Sequence, residues 1–176
     1  MLLRLILGAA ILATLAGTAI MPLLWRDETH IVDSVTIARA PADVFAYVTT
    51  PANWPKWHPS SLAVRGATGH PLAHGEQVTE DFVVAGRRGT VVWSVALRDA
   101  PRKWIIKGEV GGHAAGSVTY TLTLAGEATR FTRELAYPSR NLLFVLLNRL
   151  SIRQQVEAES AQAVHNLKQI LEARSS

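Results

Sequence analysis

Two charged residues occur at positions where the sequence pattern places them inside the protein. Glu80 lies two residues from both Val78 and Phe82. Arg133 follows Phe131 at the same spacing. Residues two apart share one face of a β-strand, so each charge falls on a face that its neighbours would bury. Because a buried charge needs a partner, water or a polar ligand group, we expect the two residues to form one polar end of an apolar cavity. A β-bulge that shifted the register would instead leave both in solvent.

Few other residues could perform acid–base chemistry in such a cavity. With Glu80, the candidates for a general acid and base are His58 and Tyr137. His58 lies in a Trp-Pro-Lys-Trp-His-Pro turn, where a histidine more often packs or forms a hydrogen bond than catalyses. We therefore assign no catalytic residue from the sequence alone.

Metal, thiol and nucleotide chemistry have little support in the sequence. The chain contains no cysteine, so it has no disulfide, thiolate zinc site or cysteine nucleophile. His70 and His74 are four residues apart, but Gly69 and Pro71 place them in a loop and not on a helix. No serine lies in a nucleophile elbow, and no glycine-rich loop leads into a helix. We expect no metal and no cofactor.

Composition also argues against nucleic acid as a partner. The net charge is only +4, and the lysines and arginines are spread along the chain without a basic run. Nucleic-acid binding usually needs a concentrated basic patch. An anionic membrane surface is a more plausible partner for a mild positive charge.

Period-two patterns separated by glycine or proline predict seven β-strands. Their alternation buries one face of the sheet and leaves the other in water, with Val91, Trp93, Val95 and Leu97 on one inward face and Trp104, Ile106 and Val110 on another. The predicted strands are Thr29–Ala38, Leu62–Ala67, Gln77–Val84, Thr90–Arg98, Lys103–Val110, Ser117–Leu124 and Thr129–Ala136.

Helices are predicted between the first two strands and at the end of the chain. Pro41 begins a helix over Ala42–Thr49, and Pro51–Pro59 forms a short helix or turn. No glycine or proline interrupts 141–174, which predicts one long helix. Its first turns, Leu142–Leu147, are apolar on all sides. We expect these turns to form a wall and the mouth of the cavity, facing a lipid bilayer.

The N-terminal segment is long and apolar enough to cross a membrane. Leu5–Trp25 contains no charged residue and would reach roughly 30 Å as a helix. The free amino terminus and Arg4 precede it, whereas Arg26 after it is followed at once by Asp27 and Glu28, so the positive-inside rule keeps the N-terminus cytoplasmic. We expect a single-pass anchor over residues 1–28 and an extracytoplasmic domain over 29–176. A cleaved signal peptide is the alternative.

The order of these elements resembles the START/Bet v 1-like helix-grip fold. Within that fold the chain is similar to the polyketide cyclase/dehydrase branch of the SRPBCC superfamily, over roughly residues 30 to 173. The resemblance depends on Ile37–Phe45 (IARAPADVF), Trp54–Pro59 (WPKWHP), Gly75, Ala128–Phe131 (ATRF) and Leu167–Glu172 (LKQILE).

This resemblance implies an α+β fold in which a curved, seven-stranded antiparallel sheet surrounds a long C-terminal helix. Similar proteins hold lipids, sterols, quinones or polyketides in an apolar cavity between sheet and helix. Inward-facing aromatic residues support such a cavity independently. The expected ligand-binding residues are Glu80, Phe82, Trp93, Trp104, Tyr120, Phe131, Arg133, Tyr137, Leu143 and Leu147.

Three functions remain open at this point. The favoured one is a membrane-anchored binding module for a hydrophobic small molecule or lipid. The second is a cyclase- or dehydratase-like enzyme that uses Glu80, His58 and Tyr137. The third is an interaction domain whose own side chains fill the cavity.

Overall fold

One seven-stranded antiparallel sheet forms the body of the protein in the computed structural model, which describes residues 27–139 and 142–173. Its order is β1-β7-β6-β5-β4-β3-β2, so consecutive strands from β2 to β7 form hairpins and β1 pairs with β7. The predicted seven-stranded sheet is confirmed. The strands are β1 (Asp27–Ile37), β2 (Ser61–Gly66), β3 (Gln77–Val84), β4 (Arg87–Asp99), β5 (Lys103–Val110), β6 (His113–Ala125) and β7 (Ala128–Ser139).

Helices cover one face of this sheet. Pro41 occupies the first position of α1 (Pro41–Thr49), where its missing N–H costs nothing, and a 3₁₀ turn separates α1 from α2 (Trp54–Trp57). The C-terminal helical region contains α3 (Leu142–Leu147), a π-helical segment (Asn148–Ile152) and α4 (Arg153–Ala173). The prediction of one long helix was therefore right in extent but missed the π-helical interruption.

An aromatic cluster fills the interior at one end of the sheet. Trp104 stacks on Tyr120 with ring centroids 5.3 Å apart, and Trp57 meets Phe131 edge to face at 6.5 Å. Leu167 of α4 is buried in the same core. Large flat side chains in contact bury much apolar area, so this end of the domain supplies much of its stability.

A bulge changes the inward face of β4. The β4–β5 register shifts between Val95 and Leu97, and Leu97 is 38% exposed, so its predicted inward position is wrong. A second shift lies between Gly108 and Glu109, where the extra residue, Ala115, belongs to β6. Val110 of β5 therefore keeps its predicted inward position: it is 40% exposed but lines the cavity described below. A bulge adds one residue to one strand and moves the residues beyond it to the opposite face.

The N-terminal segment predicted to span a membrane, Leu5–Trp25, lies outside the described residues. The first strand begins at Asp27, close to the predicted domain boundary. Within 27–139 and 142–173, no helix combines the length and hydropathy needed to cross a bilayer.

Candidate functional site

A cavity of about 610 Å³ lies between the concave face of the sheet and the helical region that begins with α3. Its walls are mainly apolar and include Phe82, Val91, Leu135, Phe144, Ile152 and Val156. This volume is in the range of pockets that hold small organic molecules. The third function considered above, a cavity filled by its own side chains, therefore has no support in the structure.

Two aromatic rings of the cavity wall lie flat on glycines of neighbouring strands. A Cβ added to Gly89 would come within 2.6 Å of the Phe82 ring, and one added to Gly108 within 2.7 Å of the Trp93 ring. An aromatic ring covering a cross-strand glycine is a known way of shaping a curved sheet.

Arg133 is the charged residue that the structure buries most completely in this cavity. It is 5% exposed, because the β6–β7 register is continuous and keeps it in phase with Phe131. Its Nη1 donates a hydrogen bond to the Ser160 hydroxyl of α4 at 2.9 Å, and its Nε has no partner among the described residues. The guanidinium therefore retains unused donors inside the protein.

Glu80 faces the same cavity from β3. The β3–β4 register is also continuous, and a Glu80 carboxylate oxygen accepts a hydrogen bond from Trp93 Nε1 at 2.6 Å. Burial raises the pKa of Glu80, although the Trp93 bond and the positive charge of Arg133 oppose this change. Both charges therefore lie inside, and the bulge alternative is wrong.

Two uncharged groups complete the polar end of the cavity. Burial, assisted by the charge of Arg133, lowers the pKa of His58 well below its usual value, so its ring is neutral at pH 7. His58 Nδ1 accepts from the Ser60 backbone N–H at 3.3 Å, which places the ring proton on Nε2, an atom without a partner among the described residues. Burial also raises the pKa of Tyr120 to about 12, so its hydroxyl keeps its proton.

The structure brings most of the predicted ligand-binding residues to the cavity. The residues that line it are Glu80, Phe82, Trp93, Tyr120, Arg133 and Tyr137. Trp104 and Phe131 instead pack in the aromatic cluster. Leu147 is not among the lining residues, and the side chain of Leu143 lies outside the described part of the chain.

A stripe of residues four apart was missed in the sequence. Phe144, Ile152, Val156 and Ser160 all line the cavity, and buried Asn148 continues their spacing. Spacing of four drifts around an α-helix, but the π-helical segment adds residues to one turn and restores the phase. The four-residue repeat, which ends at the small side chain of Ser160, was the signal in the sequence that could have indicated this stripe.

Glu159 was also missed, and it connects three parts of the structure. Its carboxylate accepts a hydrogen bond from the Ser60 hydroxyl at 2.7 Å and another from the Ala85 backbone N–H at 3.1 Å. Ala85 lies in the β3–β4 turn with a φ of 48°. Glu159 thus fixes this turn against α4 at the cavity wall.

The histidines considered as metal ligands lie away from the cavity. His70 Nε2 is 3.1 Å from a Glu76 carboxylate oxygen, in an exposed loop. Among the described residues, no group of three or more histidine and acidic side chains is placed to hold a metal ion.

Comparison with known proteins places this site in a family. Residues 28–172 match the family described as polyketide cyclase / dehydrase and lipid transport. Nothing among the curated proteins matches the sequence.

Solved structures share the fold at low sequence identity. The Zhui aromatase/cyclase from Streptomyces sp. R1128 is 17% identical, with a TM-score of 0.67 over 85% of this chain and 97% of its own. The protein TTHA0849 from Thermus thermophilus is 14% identical, with a TM-score of 0.67 over 84% and 100%. The Aha1 dimer from Colwellia psychrerythraea is 15% identical, with a TM-score of 0.59 over 84% and 99%. From its family match, this chain belongs to the polyketide cyclase/dehydrase and lipid transport family.

Proposed function

We propose that the protein is a membrane-anchored binding module that holds a hydrophobic small molecule or lipid in its cavity. The observation that carries this proposal is an apolar cavity of about 610 Å³ with buried, incompletely bonded polar groups at one end. An apolar wall with a few placed polar groups is typical of sites that bind and orient small molecules. The family description, which includes lipid transport, agrees with this function.

Exposed leucines near the start of the C-terminal helical region support a membrane setting. The apolar segment Leu5–Trp25 ends next to β1, whose first residue pairs with Ser139 just before α3. On this helical region Leu146 is 54% exposed and Leu150 is 70% exposed. An anchor here would hold two exposed leucines close to the lipid. The wall and mouth predicted for Leu142–Leu147 thus stay part of the proposal, with Phe144 as the lining residue.

Two exposed basic residues also border the cavity. Arg87 and Arg88 line the cavity at the start of β4 and are exposed. Exposed arginines at this edge favour contact with an anionic membrane surface over an uncharged one. The domain lies on the extracytoplasmic side in this proposal, because Arg4 precedes the apolar segment. A reporter that is active only outside the cytoplasm, fused after Ser176, should be active. Activity of a cytoplasmic reporter there would contradict this topology.

A bound molecule should be recovered with the protein. The full chain, purified in mild detergent, should release a stoichiometric hydrophobic compound on organic extraction, identified by mass spectrometry. Leu135→Trp adds a large ring to the cavity wall and should remove most of this compound. Leu124→Trp is the matched control, because Leu124 is exposed on β6 and should leave retention unchanged. Equal recovery from both variants would show that the compound binds elsewhere.

An enzyme of the cyclase or dehydratase type is the second candidate. It is favoured by the buried carboxyl of Glu80 together with the neutral ring of His58. Tyr137 is less suited to this chemistry than predicted, because its hydroxyl donates to the Asn148 side chain at 2.8 Å. Incubation of the extracted compound with protein freed of it separates the two functions. A binding module returns it unchanged, whereas an enzyme converts it.

A further inference from the structure

The polar end of the cavity contains hydrogen-bond donors that no protein acceptor binds. Arg133 has five N–H donors, one of which bonds to Ser160. The His58 ring carries its proton on Nε2, which has no partner among the described residues. The Tyr120 hydroxyl adds a third donor at this end. A ligand group that fits here must accept hydrogen bonds.

The acceptors that line this end are largely engaged. Glu80 accepts from Trp93, and Glu159 accepts from Ser60 and Ala85. No described carboxylate forms an ion pair with Arg133, although its guanidinium is buried. A buried cation without a paired anion is costly to the fold, and this cost is relieved when a ligand brings the anion.

We infer that the ligand is an amphiphile with a carboxylate group, which binds at Arg133 while its hydrophobic part fills the apolar cavity. This inference depends on the proposed binding function and specifies its ligand class. A carboxylate is planar and accepts two parallel hydrogen bonds, which matches the fork of a guanidinium. The neutral His58 ring and the Tyr120 hydroxyl can donate to the same group.

Glu80 limits how strongly such a ligand binds. An ionised Glu80 would repel a ligand carboxylate, whereas a protonated Glu80 would not. Burial raises its pKa, so this repulsion weakens as the pH falls. The alternative is that Glu80 serves only as a distant counter-charge for Arg133, in which case no anionic ligand is needed. These two roles predict opposite effects of removing the Glu80 charge.

The test compares two probes of one shape, 2-naphthoic acid and its neutral amide, 2-naphthamide. The full chain is held in nanodiscs of uncharged lipid, and bound probe is measured by equilibrium dialysis at pH 7 against nanodiscs without protein. Charge-assisted hydrogen bonds are worth about 1.5–3 kcal/mol, so the acid should bind roughly tenfold to a hundredfold more tightly than the amide. This comparison needs no variant to fold.

Variants then assign the preference to one residue. Arg133→Leu should abolish the preference, so that acid and amide bind with similar affinity. Arg130→Leu is the matched control, because Arg130 is exposed on the same strand, and should keep the preference. Glu80→Gln should tighten acid binding severalfold because a repelling charge is removed. If Glu80 is only a counter-charge, Glu80→Gln should instead destabilise the fold without tightening acid binding.

The binding results distinguish failure of this inference from failure of the proposed function. Equal binding of acid and amide by the unaltered protein would overturn the carboxylate assignment and leave the binding function standing. An acid preference that survives Arg133→Leu would also overturn it. Binding of neither probe would overturn the proposed function itself, and the inference with it.

Discussion

The two halves of helix α4 cover different interiors. The C-terminal half presents Ala163, Leu167 and Leu171, which are buried against the aromatic cluster. The N-terminal half presents Val156 and Ser160 to the cavity. Both halves lie on the same sheet, so strand arrangement alone does not decide which end is hollow. The size and polarity of the α4 side chains decide which end is hollow.

The sheet shows the same contrast. At the packed end, Trp104 and Tyr120 stack on one another and fill the space above the strands. At the hollow end, Phe82 and Trp93 lie flat on glycines. The packed end therefore supplies apolar burial, which offsets the cost of the buried polar groups at the cavity.

The largest expected effect is a difference in stability between the two halves of α4. Leu167→Ala should lower the free energy of unfolding by about 3 kcal/mol, because it leaves a void in a filled core. Val156→Ala should cost less than about 1 kcal/mol, because that side chain already borders a cavity. Guanidinium unfolding of the full chain in mild detergent, followed by tryptophan fluorescence, measures both. Equal losses would show that the two ends are packed alike.

The stability of the protein should be sensitive to one methyl group added at Gly108, which lies against the Trp93 ring. Gly108→Ala would force the Trp93 ring aside, disturb its hydrogen bond to Glu80, and cost about 1–2 kcal/mol. It should also reduce retention of the bound compound. Gly69→Ala is the control, because a Cβ there meets nothing within 4 Å. A stable Gly108→Ala variant with full retention would show that the ring position does not shape the cavity.

The buried histidine should make the hollow end sensitive to acid. The pKa of His58 is lowered on folding, so the folded state binds fewer protons, and stability falls as the pH drops below about 6.5. The loss can reach about 1.4 kcal/mol per pH unit. His58→Gln should flatten this dependence, whereas His113→Gln, at the exposed start of β6, should not. A pH profile unchanged by His58→Gln would contradict the buried neutral ring.

Other groups change stability in the opposite direction over parts of this range. The pKa of Glu80 is raised by burial, so its stabilising effect is present at low pH and is lost as the pH rises through its folded value. The pKa of His30 is raised by its hydrogen bond to Glu134, so it also favours folding at lower pH. The difference between wild type and His58→Gln isolates the His58 contribution.

The smallest expected effect on stability is at Arg133. Replacing this buried, unpaired charge with leucine should change the free energy of unfolding by less than about 1 kcal/mol, or increase it. The lost hydrogen bond to Ser160 and the relieved desolvation act in opposite directions. Thermal unfolding of Arg133→Leu measures the net result. A loss of several kcal/mol would mean that Arg133 holds the fold together, as residues of the packed end do.

The sequence predicted the strands well and their inward faces only in part. Turn residues such as Gly126 separate the hairpins clearly, which is why strand bounds were close. Glu80 and Arg133 were placed correctly because neither of their own strands carries an inserted residue; the shift in the β2–β3 pair adds its residue to β2. Leu97 was misplaced because the bulge before it depends on pairing between strands, which a single strand pattern does not contain.

The position of a residue along the sheet was harder to predict than the face of the sheet on which its side chain lies. Alternation assigned both Trp93 and Trp104 to the inward face, but only Trp93 borders the cavity. The difference comes from the part of α4 that lies opposite each ring, which is a long-range contact. Phe144 was missed in favour of Leu143 and Leu147 because its phase depends on the π-helical segment.

One buried amide joins the beginning of the domain to the wall of its cavity. Asn148 donates to the Thr29 hydroxyl at 2.8 Å and accepts from the Tyr137 hydroxyl at 2.8 Å. Thr29 lies in the first strand, directly after the apolar N-terminal segment, and Tyr137 borders the cavity. Asn148 lies in the π-helical segment between α3 and α4. The two hydrogen bonds therefore hold β1, β7 and this segment in one fixed arrangement, so the position of the cavity wall depends on the pairing of the first and last strands.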